Sequence, residues 1–100
     1  MTEYLIATSV LEAIVRGSLA KDSRVRLHSS LPVVGPHAAE ITVDQDECRV
    51  IVQVDARFGE ALPPLSVEIR RKVAAALSRM TGLKVCAVDV VFSGVFPAGA

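Results

Sequence analysis

The sequence predicts an α+β domain: a two-layer sandwich in the order α-β-β-β-α-β, with two helices on one face of a four-stranded sheet. Three observations predict it. Residues 63–92 read as a proline-led amphipathic helix, a glycine stop and an alternating strand. Cys48–Phe58 alternates apolar and polar residues almost without error. Residues 9–20 carry a second helical stripe. One-sided helices and one-sided strands bury their apolar faces most economically against each other, as two layers.

The first helix is expected over 9–20, where Val10, Leu11, Ile14, Val15 and Leu19 make the apolar stripe. Ser9 and Glu12 have the spacing of a capping box. Gly17 costs this helix about 1 kcal/mol against alanine, and a close approach to the sheet would explain it. A strand follows over Arg24–Leu31, then a loop over Pro32–His37 with two prolines and a glycine. Ala39–Val43 is a short strand joined by the polar turn 44–47 to the strand Cys48–Phe58, forming an antiparallel hairpin. In that long strand Cys48, Val50, Val52, Val54, Ala56 and Phe58 alternate with Arg49, Ile51, Gln53, Asp55 and Arg57, as in a sheet covered on one side.

The second helix rests on Ile69, Val73, Ala76, Leu77 and Met80, a single stripe of 3.6-residue period. Pro63 and Pro64 are expected to delay its start and Ser66 to cap it. Gly82 supplies a left-handed stop, with Leu83 folding back on the last turn. The last strand, Lys84–Phe92, places Cys86, Val88, Val90 and Phe92 on the core face and Val85, Ala87, Asp89 and Val91 on the other. Residues 1–96 are expected to form one domain, with 97–100 as a tail.

Composition narrows function. Lysine plus arginine equals aspartate plus glutamate, at 11 each, so no net positive charge marks a nucleic-acid binder. A net charge of zero favours self-association. With 51% hydrophobic residues and only 4% aromatics, the core is aliphatic and little is left to stack on bases or sugars. Two cysteines and no recognisable signal peptide point to a reducing cytoplasm. The apolar run Leu5–Ala20 is broken by Glu12 and Arg16 and is too short to span a bilayer.

No site chemistry stands out. Cys48 and Cys86 are expected to be buried and inert, outside any ligand spacing, so no metal is predicted. His28 shares a strand face with arginines, and His37 lies in a loop. Neither adjoins a nucleophile motif, so no catalytic residue and no cofactor is predicted. What remains is surface. Arg49, Ile51, Gln53, Val85, Ala87 and Val91 are expected on the outward sheet face, where an apolar patch among polar residues would serve protein contacts. Arg70 and Arg71, with Lys72 and Arg79, form the densest basic cluster.

The chain resembles the alkaline shock protein family of Gram-positive bacteria. The resemblance lies in Val50-Ile51-Val52-Gln53-Val54, Phe58-Gly59 and Leu62-Pro63, then Val73 and Met80-Thr81-Gly82-Leu83, and finally Val88-Asp89-Val90 and Gly94-Val95. Ile6 and the first helix agree in pattern, whereas 32–38 has no counterpart. The resemblance implies a non-enzymatic, envelope- or stress-associated protein of the cytoplasm. It also implies homo-oligomers or a protein partner, including a membrane-anchored one, and no direct membrane insertion. An iron–sulfur assembly-associated domain has a similar element order, but its functional cysteine would fall in the loop 59–64, which has none. An RNA-binding module of this shape would need the motif and charge that are lacking here.

Overall fold

The computed structural model describes residues 5–28 and 38–99. The expected order holds: α1 (Thr8–Leu19), β1 (Val25–Leu27), β2 (Ala39–Asp44), β3 (Glu47–Arg57), α2 (Leu62–Thr81) and β4 (Lys84–Phe96). The loop 32–37, His37 and the end of the strand predicted to reach Leu31 lie outside the described residues.

β3 organises the sheet. It pairs in parallel with β4 along its whole length, from Glu47 opposite Lys84 to Arg57 opposite Phe96. It pairs antiparallel with β1 (Val25 opposite Ala56) and with β2 (Ala39 opposite Val52). A strand has two edges and β4 fills one, so β1 and β2 lie end to end along the other. Gln53 marks the break between them: its carbonyl accepts from the His28 N–H at 2.9 Å and its own N–H donates to the Ala38 carbonyl at 2.7 Å. The sheet is therefore mixed, with α2 as the crossover that parallel neighbours require. The β2–β3 hairpin turns through Gln45, whose φ of 57° is left-handed.

α2 begins earlier than its prolines suggest. Ala61 is the extended N-cap, and Pro63 and Pro64 sit inside the first turn, where a missing N–H costs nothing. Ser66 does not cap; its hydroxyl donates back to the Pro63 carbonyl at 2.7 Å. The end is as expected, with Gly82 at φ 76° and its N–H bonded to the Ser78 carbonyl. Thr81 Oγ1 ties the exit down, donating to the Leu77 carbonyl at 2.5 Å and accepting from the Leu83 N–H at 3.1 Å. The buried stripe is Leu65, Ile69, Val73, Leu77 and Thr81. Met80, expected on that stripe, is 65% exposed. In α1, Leu11, Ile14, Val15 and Leu19 are buried, while Val10 is largely outside the core. Its N-cap is Ala7 with no side-chain cap bond, so Ser9 lies within the first turn and the capping box does not form there.

The core lies between the helices and the sheet residues Val25, Ala39, Val50, Val52, Val54, Ala56 and Val88. Two irregularities in β4 decide what joins them. Cys48 faces Val85 but Arg49 faces Ala87, and Val54 faces Phe92 but Asp55 faces Gly94. Cys86 and Ser93 are thus extra residues, and each bulge shifts the alternation by one. Val85 consequently packs against the core together with Val90 and Phe92. Cys86 points outward and is exposed, whereas Cys48 is buried. The sequence expectation for Val85 and Cys86 is therefore reversed. Phe58 also departs from it, lying just past the end of β3 at 72% exposure.

One ionic network pins the layers together. Asp22, nearly buried, takes both Nε and Nη2 of Arg24 at 2.9 and 2.7 Å, and Lys72 of α2 at 2.7 Å. Arg24 Nη2 also pairs with Glu68 of α2.

Candidate interaction surface

The β-strand alternation that buries Val50, Val52 and Val54 puts the intervening residues on the sheet face away from the helices. Register then sets the neighbours. Thr42, Arg49 and Ala87 form one cross-strand row; Glu40, Ile51 and Asp89 form the next; Gln53 and Val91 form a third. Five of the predicted surface residues are thereby brought together: Arg49, Ile51, Gln53, Ala87 and Val91. Ile51 and Val91 are 41% and 43% exposed and sit one row apart. Val85 is lost to the core side by the bulge. Arg70 and Arg71 are exposed on α2, in the other layer, and do not join this face.

The lower half of the face is polar and holds contacts that sequence reasoning missed. His28 Nδ1 and Asp55 Oδ1 are 2.7 Å apart. Ser93 Oγ donates to Gln53 Oε1 at 3.3 Å. The Arg26 guanidinium lies 4.0 Å from the Phe96 ring centroid, a cation–π contact. A Cβ on Gly94 would come 2.6 Å from Asp55 Oδ1, so any larger residue there must push the Asp55 side chain aside. His28 and Asp55 were both legible as outward residues, but only the β1–β3 register reveals that they meet.

At the other end of the face, Cys86 Sγ donates to Glu47 Oε2 at 3.3 Å. That hydrogen bond to a carboxylate is the main reason the Cys86 thiol is pushed above its ordinary pKa, with desolvation and the Glu47 charge adding to it. Burial does the same to Cys48. Neither is poised as a thiolate.

Concavities lie elsewhere among the described residues, including a small one of about 210 Å³ between the end of α1 and β1. An open groove of about 540 Å³ runs between α1 and α2, lined chiefly by Val10, Ala13, Gly17, Ala76, Arg79 and Met80. A shallower one of about 450 Å³ lies beside Phe58, Val95 and Phe96. Among the described residues no three His, Cys, Asp or Glu side chains converge as metal ligands would. Among the described residues no helix is long and apolar enough to cross a membrane.

These features define a two-layer α+β protein whose distinguishing surface is an open, mixed sheet face with an apolar centre and a charged surround. The chain belongs to the alkaline shock protein 23 family, whose function is cell envelope-related; the family model matches residues 6–97. Comparison with curated proteins and with solved structures gives no match.

Proposed function

We propose that this chain is a non-enzymatic interaction protein of the cell envelope, working from the cytoplasmic side as a scaffold that self-associates through its outward sheet face. The observation that carries this reading is the outward cluster of Ile51, Val91 and Ala87, with Asp89 set between Ala87 and Val91 and with Arg49 and Glu40 beside it. An apolar centre within a mixed-charge rim is the anatomy of a protein–protein contact. The rim carries both signs, so two copies can oppose it without like-charge repulsion, and the chain's zero net charge adds none. A membrane-anchored protein partner would place such a scaffold at the envelope, in keeping with the family's envelope-related role.

The test is solution mass. Static light scattering of the wild type and of Ile51→Lys and Val91→Asp should show the variants falling to a smaller species. If both keep the wild-type mass at every concentration, the outward face is not the contact.

A further inference from the structure

We propose that the free edge of β4, overhung by one flank of α2, receives an extended acidic segment of a partner protein as an added strand. This goes beyond the outward-face reading and does not rest on it, because it uses the edge of the sheet and its helix side.

β4 is 13 residues long, and among the described residues its only strand partner is β3. Its second edge therefore presents a row of backbone N–H and C=O groups, the template for strand addition. Edges are usually blunted by proline, lysine, bulges or charges turned inward. β4 has its bulges at Cys86 and Ser93 and its lysine at position 84. Between the bulges, Ala87–Phe92 carries no proline, glycine or lysine, and its one charge, Asp89, lies opposite Ile51 on the outward face. That leaves a regular unprotected stretch as long as an ordinary strand, about 5–6 residues.

α2 supplies the second wall. Lys72 reaches Asp22 in the α1–β1 connection, and Ala76 and Arg79 line the groove with α1, so these residues mark the flank facing α1. At 100° per residue, Val67, Arg70 and Ala74 fall on the opposite flank. α2 packs on β4 while α1 packs on β1 and β2, so this flank overhangs the β4 edge. Val67 is 43% exposed. Arg70 and Arg71 are exposed, and among the described residues no carboxylate pairs with them. Val90 and Phe92 are half-buried on the helix side of the strand. A strand added here lays alternate apolar side chains over Val90 and Phe92 and brings a carboxylate to the arginines.

Charge selects the occupant. Antiparallel pairing of β4 with β4 of a second copy needs a two-fold axis normal to the sheet, which keeps both α2 helices on the same side. The arginines of the two helices would then approach each other, and Asp89, on the opposite face, cannot offset them. Like charges so placed disfavour a contact, whereas an acidic segment has the complementary sign.

The test titrates the ¹⁵N-labelled full chain with the peptide Glu-Glu-Val-Thr-Val-Thr-Val-Glu-Glu, with its counterpart carrying lysine for every glutamate, and with an acidic version methylated on alternate backbone nitrogens. The acidic peptide should shift the amides of 87–92 and of 67–74. The lysine and N-methylated peptides should not. An Arg70→Glu/Arg71→Glu variant, its fold checked by unchanged core amides, should lose at least about tenfold in affinity for the acidic peptide and gain binding of the lysine one. Ile51→Lys, which changes the outward face on β3 and not the β4 edge, should leave this binding intact, which separates it from self-association. The proposal is overturned by absence of shifts at millimolar acidic peptide, by equal binding of the lysine peptide, or by shifts confined to the outward face. It is equally overturned by β4 amides that titrate with protein concentration alone, which would assign the edge to a second copy.

Discussion

Lys72 Nζ sits 2.7 Å from Asp22 Oδ2, joining the middle of α2 to the chain 50 residues earlier. Arg24 grips the same carboxylate through two nitrogens, and its own backbone N–H donates to Asp22 Oδ1 at 3.0 Å. The Arg24 hydrogen bonds, helped by Lys72 and opposed by burial, hold the Asp22 carboxyl well below the usual carboxylate range. A carboxyl depressed in the folded state stabilises it fully above its unfolded value, near 3.8, and that contribution is lost as pH falls below it. Asp22→Asn should therefore cost on the order of 1–2 kcal/mol at pH 7, a figure kept small by the solvent exposure of Lys72. The gap between wild type and variant should narrow as urea melts are repeated from pH 5 down to pH 2. A gap that stays constant over that range would show that the carboxylate charge is not what stabilises the junction.

Gly94 and Asp55 stand opposite each other across the β3–β4 ladder. A Cβ at Gly94 would stand 2.6 Å from Asp55 Oδ1 and 3.0 Å from its Cγ. Gly94→Ala must displace that carboxylate and with it the 2.7 Å contact to His28. A destabilisation of about 1–3 kcal/mol is expected. Asp55→Ala should relieve most of it, so a double-mutant cycle in chemical denaturation should give a coupling above about 0.5 kcal/mol. Additive effects would mean that the clash is absorbed elsewhere.

Cys86 is exposed yet should be a slow thiol. Its proton is held by Glu47, which raises its pKa and leaves less thiolate at neutral pH. Alkylation by iodoacetamide at pH 8 should accelerate severalfold in Glu47→Gln, where neither the charge nor the carboxylate acceptor remains. Cys48, buried beneath the helices, should react only on unfolding. Equal rates for wild type and Glu47→Gln would remove Glu47 as the cause.

Much of this architecture was readable in the residues because periodicity is local. Ile69, Val73 and Leu77 declare a buried helical stripe, Val50, Val52 and Val54 a one-sided strand, and Gly82 a left-handed stop. The misreadings share one origin, which is that they depend on what lies across from a residue. Val85 and Cys86 exchange faces because β4 slips by one residue against β3, and nothing within Lys84–Phe92 announces the slip. Met80 continues the α2 period, yet it borders the open groove between α1 and α2 and stays 65% exposed. Five of the six sheet residues expected on the outward face do lie there, whereas the His28–Asp55 contact is set by register alone and has no signal in the sequence.

Gly17 gives the last case. A glycine in the last turn of α1 suggests a close neighbour, but nothing beyond its own stretch of helix lies within 4 Å of where its Cβ would be. The position opens instead onto the groove beside Ala76 and Met80. Its φ is not in the left-handed range, so alanine fits the backbone without strain. Gly17→Ala should then gain helix propensity and reduce the freedom of the unfolded chain, together worth about 0.5–1 kcal/mol of added stability. Thermal melting should show the midpoint rising by a few degrees, as about 1 kcal/mol does in a domain of this size. A lower midpoint would mean that something in the folded state does approach this turn of α1.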